Sequence, residues 1–320
     1  MKIVVLDAGT LGEDIDVGVL RVGEADSLTV WQSTTSEELA EHADGAEVLV
    51  INKIKIGEAQ LSMPELGRVK LICLVATGYD NVDVEACRHR GVGVANVRGY
   101  STDSVAQVTV GMVLSLYNRL PQYNRYVADG SYTHSGCANA LTPVYRELRG
   151  KTWGIVGLGR IGRQVAAVAE ALGCRVIANK QTPDERIPCV DLDTLCRESD
   201  IITVHVPLTD KTRGCIDARR ISLMKQGVIF VNMARGAVTD EAALAEAFKL
   251  GHIGGLGADV YSVEPMPADH PFMAIAAEDG VCLTPHMSWG SYESRVRCLS
   301  EVAQNIRSFV GGDLRNRVDL

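Results

Sequence analysis

Aromatic side chains are scarce in this chain, at 5% of its residues. That scarcity gives no argument for a pocket shaped around a bulky aromatic substrate. Trp289 and Tyr79 are the aromatic residues expected near a substrate cleft. Positive charge is not in excess either. The formal net charge is −8, so no global field draws in nucleic acid or an anionic membrane, and an anionic substrate must be caught by local charge. Long apolar runs are missing. The longest, Val105–Leu116, carries Gln107, Thr109 and Ser115 and is too short and too polar to span a bilayer. The opening Met1–Asp7 reads as a strand and a turn, with too short an apolar run for a signal peptide. No Cys-x-x-Cys occurs among nine cysteines, and Cys and His nowhere share a ligand spacing, so no metal site is expected. An odd number of irregularly spaced cysteines reads as reduced thiols in a cytoplasmic protein.

What remains is an ordinary globular composition, 46% hydrophobic and 22% charged. The 320 residues suffice for two domains, each with its own core. Residues 1–99 alternate strand and helix. Strands are predicted at Ile3–Leu6, Leu28–Trp31, Val48–Ile51, Leu71–Val75 and Gly93–Asn96, with one intervening helix opening on a serine cap at Ser36. Such alternation predicts a parallel sheet covered by helices. A long helix follows from about Thr102 to Leu116, then a polar, glycine-containing stretch, Asp129–Pro143. Further strands are predicted at Ile201–His205, Val228–Asn232, Gly255–Asp259 and Val281–Thr284, and a last helix at Tyr292–Val310.

Between these lies the most telling segment, Gly157-Leu158-Gly159-Arg160-Ile161-Gly162. A short apolar strand, Thr152–Val156, precedes it. A helix from Arg163 to Leu172 and a second strand, Cys174–Ala178, follow. Strand, glycine turn, helix and strand make a dinucleotide site. Gly157 permits the tight turn, Gly159 lets backbone approach a pyrophosphate, and Gly162 lets the helix pack close to the sheet. The helix N-terminus offers N–H groups and a partial positive charge. Because this fingerprint lies mid-chain, a dinucleotide domain of residues 100–284 is expected as an insertion into a substrate domain built from 1–99 and 285–320. Cofactor and substrate would then meet in a cleft between domains.

Hydride transfer also needs an acid–base group and a holder for the substrate. Three segments after later strands supply candidates. Arg235, before Gly236, can bind a carboxylate through two parallel hydrogen bonds. His286, after Pro285, can give a proton to a ketone oxygen as hydride arrives at carbon. Glu264 can accept from its other ring nitrogen, fixing the tautomer and favouring the imidazolium.

With these residues in view, the chain resembles the D-isomer-specific 2-hydroxyacid dehydrogenases over essentially its whole length. The resemblance rests on the fingerprint, Ala76–Asp83, Tyr100–Gln107, His205–Thr209, Asn232–Gly236, Glu264-Pro265 and Pro285-His286. It implies two Rossmann-like, doubly wound parallel-sheet α/β domains with the cofactor domain inserted, and a homodimer with the helix from Thr102 in its interface. It assigns catalysis to Arg235, Glu264 and His286. It sets Arg160, Ile161, His205, Val206, Pro207 and Ala234 along the cofactor and Asp259 at the nicotinamide carboxamide. Substrate contacts fall to Lys53, to the backbone N–H groups of Ala76, Thr77 and Gly78, to Arg235 and to Trp289. Within the family, Ser262–Pro271, His286–Trp289 and Asn52-Lys53 look most like glycerate dehydrogenases, that is, hydroxypyruvate reductases. Hydroxypyruvate or glyoxylate is therefore the expected substrate. Two alternatives are a 3-phosphoglycerate dehydrogenase lacking a regulatory domain and a nicotinamide-sensing, corepressor-like protein. One departure bears on the cofactor. The second strand of the fingerprint ends in Asn179-Lys180, where members using NAD carry aspartate. Lysine and asparagine can bind a 2′-phosphate that aspartate repels, so NADP is favoured over NAD.

Overall fold

Short aliphatic runs become strands here where both of their faces are covered. Val48–Ile51, Leu71–Leu74 and Val228–Asn232 are buried at every position, which is the pattern of central strands in parallel sheets. The computed structural model describes residues 1–182 and 184–320. The chain begins β1 (Lys2–Val5), β2 (Ser27–Val30), α1 (Leu39–Ala43), β3 (Val48–Ile51), α2 (Glu58–Leu61), β4 (Leu71–Leu74), α3 (Val84–His89) and β5 (Gly93–Ala95). It continues with α4 (Thr102–Tyr117), α5 (Leu120–Ala128), α6 (Ser131–His134), β6 (Thr152–Val156), α7 (Arg160–Ala171) and β7 (Arg175–Asn179). Then come α8 (Leu192–Glu198), β8 (Ile201–Val204), α9 (Ala218–Leu223), β9 (Val228–Asn232), α10 (Glu241–Lys249), β10 (Ile253–Ala258), β11 (Val281–Leu283) and α11 (Tyr292–Val310).

Two compact units result: a terminal unit of Met1–Ser101 with Gly290–Leu320, and a central unit of Thr102–Trp289. The terminal sheet has the order β2-β1-β3-β4-β5 and the central one β11-β10-β9-β8-β6-β7. Every strand pair in both sheets is parallel. In each unit the first strand has its sequence successors on either side. That is the switch point at which open α/β sheets bind ligands, at the carboxyl ends of the strands. One face of the central sheet is closed by α4 and α7 around the fully buried Trp153, whose indole N–H donates to Thr203 Oγ1 at 3.1 Å.

Local differences from the sequence reading have physical causes. The helix after the fingerprint starts at Arg160 rather than Arg163, because Gly159 itself is the N-cap and carries no capping side chain to betray the start. The second chain crossing falls after Trp289, so residues 285–289, expected with the terminal unit, go with the central one. Hydrogen bonds from Met287 and Ser288 to Asp259 hold them there. Helix α6 arises within the stretch read as merely polar, and α5 just before it, where no helix was expected. Neither buries a residue, so no core-facing stripe announces them. The expected serine cap at Ser36 does not form: Glu38 is the N-cap of α1 and makes no capping side-chain bond, and the turn leading into the helix is closed by Thr35 rather than Ser36. Thr35 Oγ1 accepts the Glu38 N–H at 3.3 Å, and Glu38 Oε2 accepts the Thr35 N–H at 2.9 Å. Thr35→Ala should therefore cost about 1 kcal/mol in chemical denaturation, whereas Ser36→Ala should leave the midpoint unmoved.

Candidate active site

At the central switch point the fingerprint glycines do three different jobs. Gly157 has φ +98°, and a Cβ there would lie 2.8 Å from the Val206 backbone nitrogen. The loops leaving neighbouring strands β6 and β8 are that close. A side chain on Gly162 would run into the Gly157 carbonyl oxygen, so α7 seats directly on the turn. Around Gly159 nothing lies within 4 Å of the Cβ position, and that side stays open. With no side-chain cap on α7, the first-turn N–H groups of Arg160, Ile161 and Gly162 adjoin this open side. The arrangement suits a pyrophosphate.

His205 adds an unusual feature. Its N–H donates to Val156 O at 2.7 Å, hooking it to the end of β6. Neither ring nitrogen is solvent-accessible or has a hydrogen-bond partner among the described residues. Burial pushes the imidazole pKa down to about 3, so the ring is neutral at working pH. A donor and an acceptor thus stand unsatisfied beside the glycine turn, at roughly 1–3 kcal/mol each. The turn, the open flank and this orphaned ring together fit a bound dinucleotide.

At the end of β7, the Asn179 carbonyl accepts the Gly157 N–H at 3.0 Å and its side chain donates to Val190 O at 3.0 Å. Lys180 Nζ lies 3.9 Å from Asp184 Oδ2, and Arg163 reaches the same oxygen at 2.5 Å. The Arg186 N–H and the Arg163 guanidinium hold the Asp184 carboxyl below its usual range. Lys180 was legible in the sequence; its association with Asp184 and Arg163 was not.

The catalytic candidates sit on loops after β9, β10 and β11. Asn232 ends β9 and brackets the next turn: its Oδ1 accepts the Ala234 N–H at 3.0 Å and its Nδ2 donates to Arg235 O at 3.0 Å. Arg235 Nη1 donates to Ala234 O at 2.9 Å. Gly236 then lies so close to the Tyr261–Ser262 backbone that any side chain would collide with it. The Arg235 loop and the Glu264 loop are therefore packed backbone to backbone.

Asp259, only 1% exposed, follows β10. Its Oδ1 accepts Thr284 Oγ1–H at 2.7 Å and the Met287 N–H at 2.9 Å, and its Oδ2 accepts the Ser288 N–H at 3.1 Å. These bonds straddle His286, which has φ +52°. A left-handed non-glycine residue costs roughly 1–2 kcal/mol, and the carboxylate holds it there. His286 Nδ1 lies 2.7 Å from Glu264 Oε2, and Glu264 Oε1 accepts the Tyr261 N–H at 3.0 Å. Burial, with Asp259 and Glu264 adding to it, pushes the Tyr261 hydroxyl up to about 12. It stays protonated and donates to Thr284 O at 3.0 Å, so it does not compete as a base.

The remaining sequence candidates are placed as follows. Trp289 packs against the α4–α7 core of the central unit. Lys53 and Ala76–Gly78 belong to the terminal unit. There the Lys53 N–H donates to the buried Asp7 carboxylate at 2.6 Å, Thr77 Oγ1 donates to Val97 O at 2.7 Å, and Asn96 donates to Thr77 O at 2.7 Å. Burial raises the Asp7 carboxyl, against the lowering effect of the N–H groups of Lys53, Asn52 and Ile54.

Comparison with known proteins identifies the family. Residues 110–288 match the family model described as D-isomer specific 2-hydroxyacid dehydrogenase, NAD binding domain. The chain is 36% identical to a glycerate dehydrogenase of Methylorubrum extorquens over 99% of both chains. It is 32% identical to a hydroxypyruvate reductase of Blautia hydrogenotrophica over 100% of both. The solved D-lactate dehydrogenase of Aquifex aeolicus, complexed with NAD and lactic acid, superposes with a TM-score of 0.86 at 31% identity, covering 100% of this chain and 99% of that one.

His205→Leu separates the two consequences of the orphaned ring. It should raise the melting temperature of the cofactor-free protein, because no unsatisfied polar group stays buried. It should also weaken reduced-cofactor binding in a fluorescence titration by about tenfold. An unchanged dissociation constant would leave the ring a packing group alone.

Proposed function

Because the chain belongs to the D-isomer-specific 2-hydroxyacid dehydrogenases, we propose that it reduces a small 2-oxo acid, hydroxypyruvate or glyoxylate foremost. The observation that carries the residue assignment is the 2.7 Å contact of His286 Nδ1 with Glu264 Oε2. With Nδ1 bound to the carboxylate, proton transfer to the substrate oxygen falls to Nε2. Bound nicotinamide supplies the hydride. Arg235, fixed through Asn232 and Gly236, pairs with the substrate carboxylate and aligns the carbonyl. Asp259 has accepted three hydrogen bonds and, as a carboxylate, has acceptor capacity left for the cofactor carboxamide. Lys53, the N–H groups of Ala76, Thr77 and Gly78, and Trp289 complete the proposed substrate contacts. Hydroxypyruvate is favoured because the glycerate dehydrogenase relative acts on its reduced form.

Three finer points belong to this reading. NADP is preferred over NAD: Lys180 and Arg163 put two cations against one carboxylate at the end of β7, which leaves net positive charge for a 2′-phosphate. The chain acts as a homodimer. In support, α5 buries none of its residues, and Leu120, Val127, Leu141, Val144 and Tyr145 are exposed around it. The protein is cytoplasmic, in keeping with nine unpaired cysteines. Among the described residues no helix is long and apolar enough to cross a membrane.

Oxidation of NADPH and NADH with hydroxypyruvate and glyoxylate tests the reading. His286→Ala should lower kcat by about 10²–10⁴-fold while cofactor binding is unchanged. Glu264→Gln should move the pH–rate profile to lower pH, because the imidazolium loses its anionic partner. Turnover undiminished in His286→Ala would defeat the assignment. Lys180→Asp should raise the KM for NADPH by about tenfold or more and lower that for NADH. Equal ratios in wild type and variant would remove Lys180 from cofactor choice.

A further inference from the structure

Two ionisable side chains buried together in the central unit take no part in the chemistry above. They are Glu241, in the first turn of α10, and His270, with side-chain exposures of 8% and 4%. His270 Nδ1 accepts the Phe272 N–H at 3.1 Å. A ring nitrogen that accepts carries no proton, so the proton resides on Nε2, which donates to Glu241 Oε2 at 2.9 Å. Glu241 Oε1 accepts the Ser262 N–H at 2.9 Å. Each carboxylate oxygen therefore meets a donor, a demand that only an all-acceptor group satisfies.

What this pair holds is the loop that presents Glu264. Ser262 stands two residues before Glu264, and the Tyr261 N–H donates to Glu264 Oε1. The Tyr261 ring stands edge-on to His270 and Phe272, with centroids 5.8 and 6.4 Å away. Its hydroxyl donates to Thr284 O, two residues before His286. One buried cluster thus reaches the supports of both Glu264 and His286.

We propose that Glu241, locked by His270, is a positioning residue that sets Glu264 against His286. The proposal rests on the reading of Glu264 and His286 as the acid–base pair. In Glu241→Gln the amide oxygen can satisfy one donor, and its NH₂ must face either Ser262 N–H or His270 Nε2–H. Switching the His270 tautomer brings Nδ1–H against Phe272 N–H, so no rearrangement of protons repairs the cluster.

The test measures kcat with hydroxypyruvate and NADPH across pH, and the NMR titration of the His286 ring in the cofactor-free protein. Glu241→Gln should lower kcat about tenfold, and should shift both the pH–rate profile and the His286 titration to lower pH, as Glu264→Gln does. Glu241→Asp keeps the charge and both acceptors on a shorter arm and should give a smaller shift in the same direction. It also reads the effect if the glutamine variant fails to fold. Variants that melt earlier yet keep the wild-type profile and titration would overturn the proposal and leave Glu241 purely structural. Failure of the underlying reading looks different: Glu264→Gln and His286→Ala would then be as active as wild type.

Discussion

Asp259 has almost no access to water, yet it carries hydrogen bonds from a hydroxyl and two N–H groups of the segment after the next strand. Removing a carboxylate from water is expensive unless donors replace the lost hydration. Here the donors are Thr284, Met287 and Ser288, which surround His286 and force the chain through its left-handed turn. Glycine would adopt that turn at little cost but carries no imidazole. The strain at His286 and the burial of Asp259 are thus two sides of one arrangement. The same bonds draw residues 285–289 into the central unit, so the candidate acid stands on the sheet that carries the glycine fingerprint.

Both units repeat one topology, with the first strand between the next two. Their switch points are nevertheless furnished in opposite ways. In the terminal unit the Asp7 carboxylate, just after β1, fills the crevice and accepts the N–H groups of Asn52, Lys53 and Ile54 after β3. In the central unit Gly157 brings no side chain, Gly159 leaves its flank open, and His205 keeps two ring nitrogens unpaired among the described residues. One crevice carries its own anion; the other has N–H groups and a dipole suited to an external one. Topology alone provides two equivalent places, and the residues after the first strand decide which of them suits a dinucleotide.

Legibility in the sequence followed the range of the interactions. The strand–helix rhythm was readable because buried parallel strands are continuous aliphatic runs, as in Val228–Asn232. The glycine turn was readable because its spacing is local, and Arg235, Glu264 and His286 because each stands close behind a strand. The start of α7 was hidden by its glycine cap, and α5 by its lack of any buried stripe. Glu241 and His270 are 29 residues apart, Arg163 and Asp184 lie on different elements, and only the fold joins them. The signal that could have flagged Glu241 and His270 is modest: a first-turn glutamate after Asp240 and a histidine between Asp269 and Pro271. His205 was assigned through resemblance. The feature that supports that assignment, two buried nitrogens without partners among the described residues, exists only in three dimensions.

On the proposed cofactor reading, Asp184 sets where the two cations stand. An aspartate at the end of β7 would face the adenosine ribose directly and repel a 2′-phosphate. Here the carboxylate stands four residues later and is tied down by the Arg186 and Ile187 N–H groups as well as by Arg163. Because backbone donors fix it, it does not depend on the two cations to stay in place. Lys180, at 3.9 Å, is the looser of its partners. A phosphate with up to two negative charges competes well for a lysine held at that distance, while Arg163 remains on Asp184. On the proposed reading the acid is no gate against NADP but an anchor that keeps two cations near the place where the phosphate would arrive. On the same reading discrimination comes from the ammonium rather than from the guanidinium, which is why Lys180 is the position at which cofactor choice should be most easily reversed.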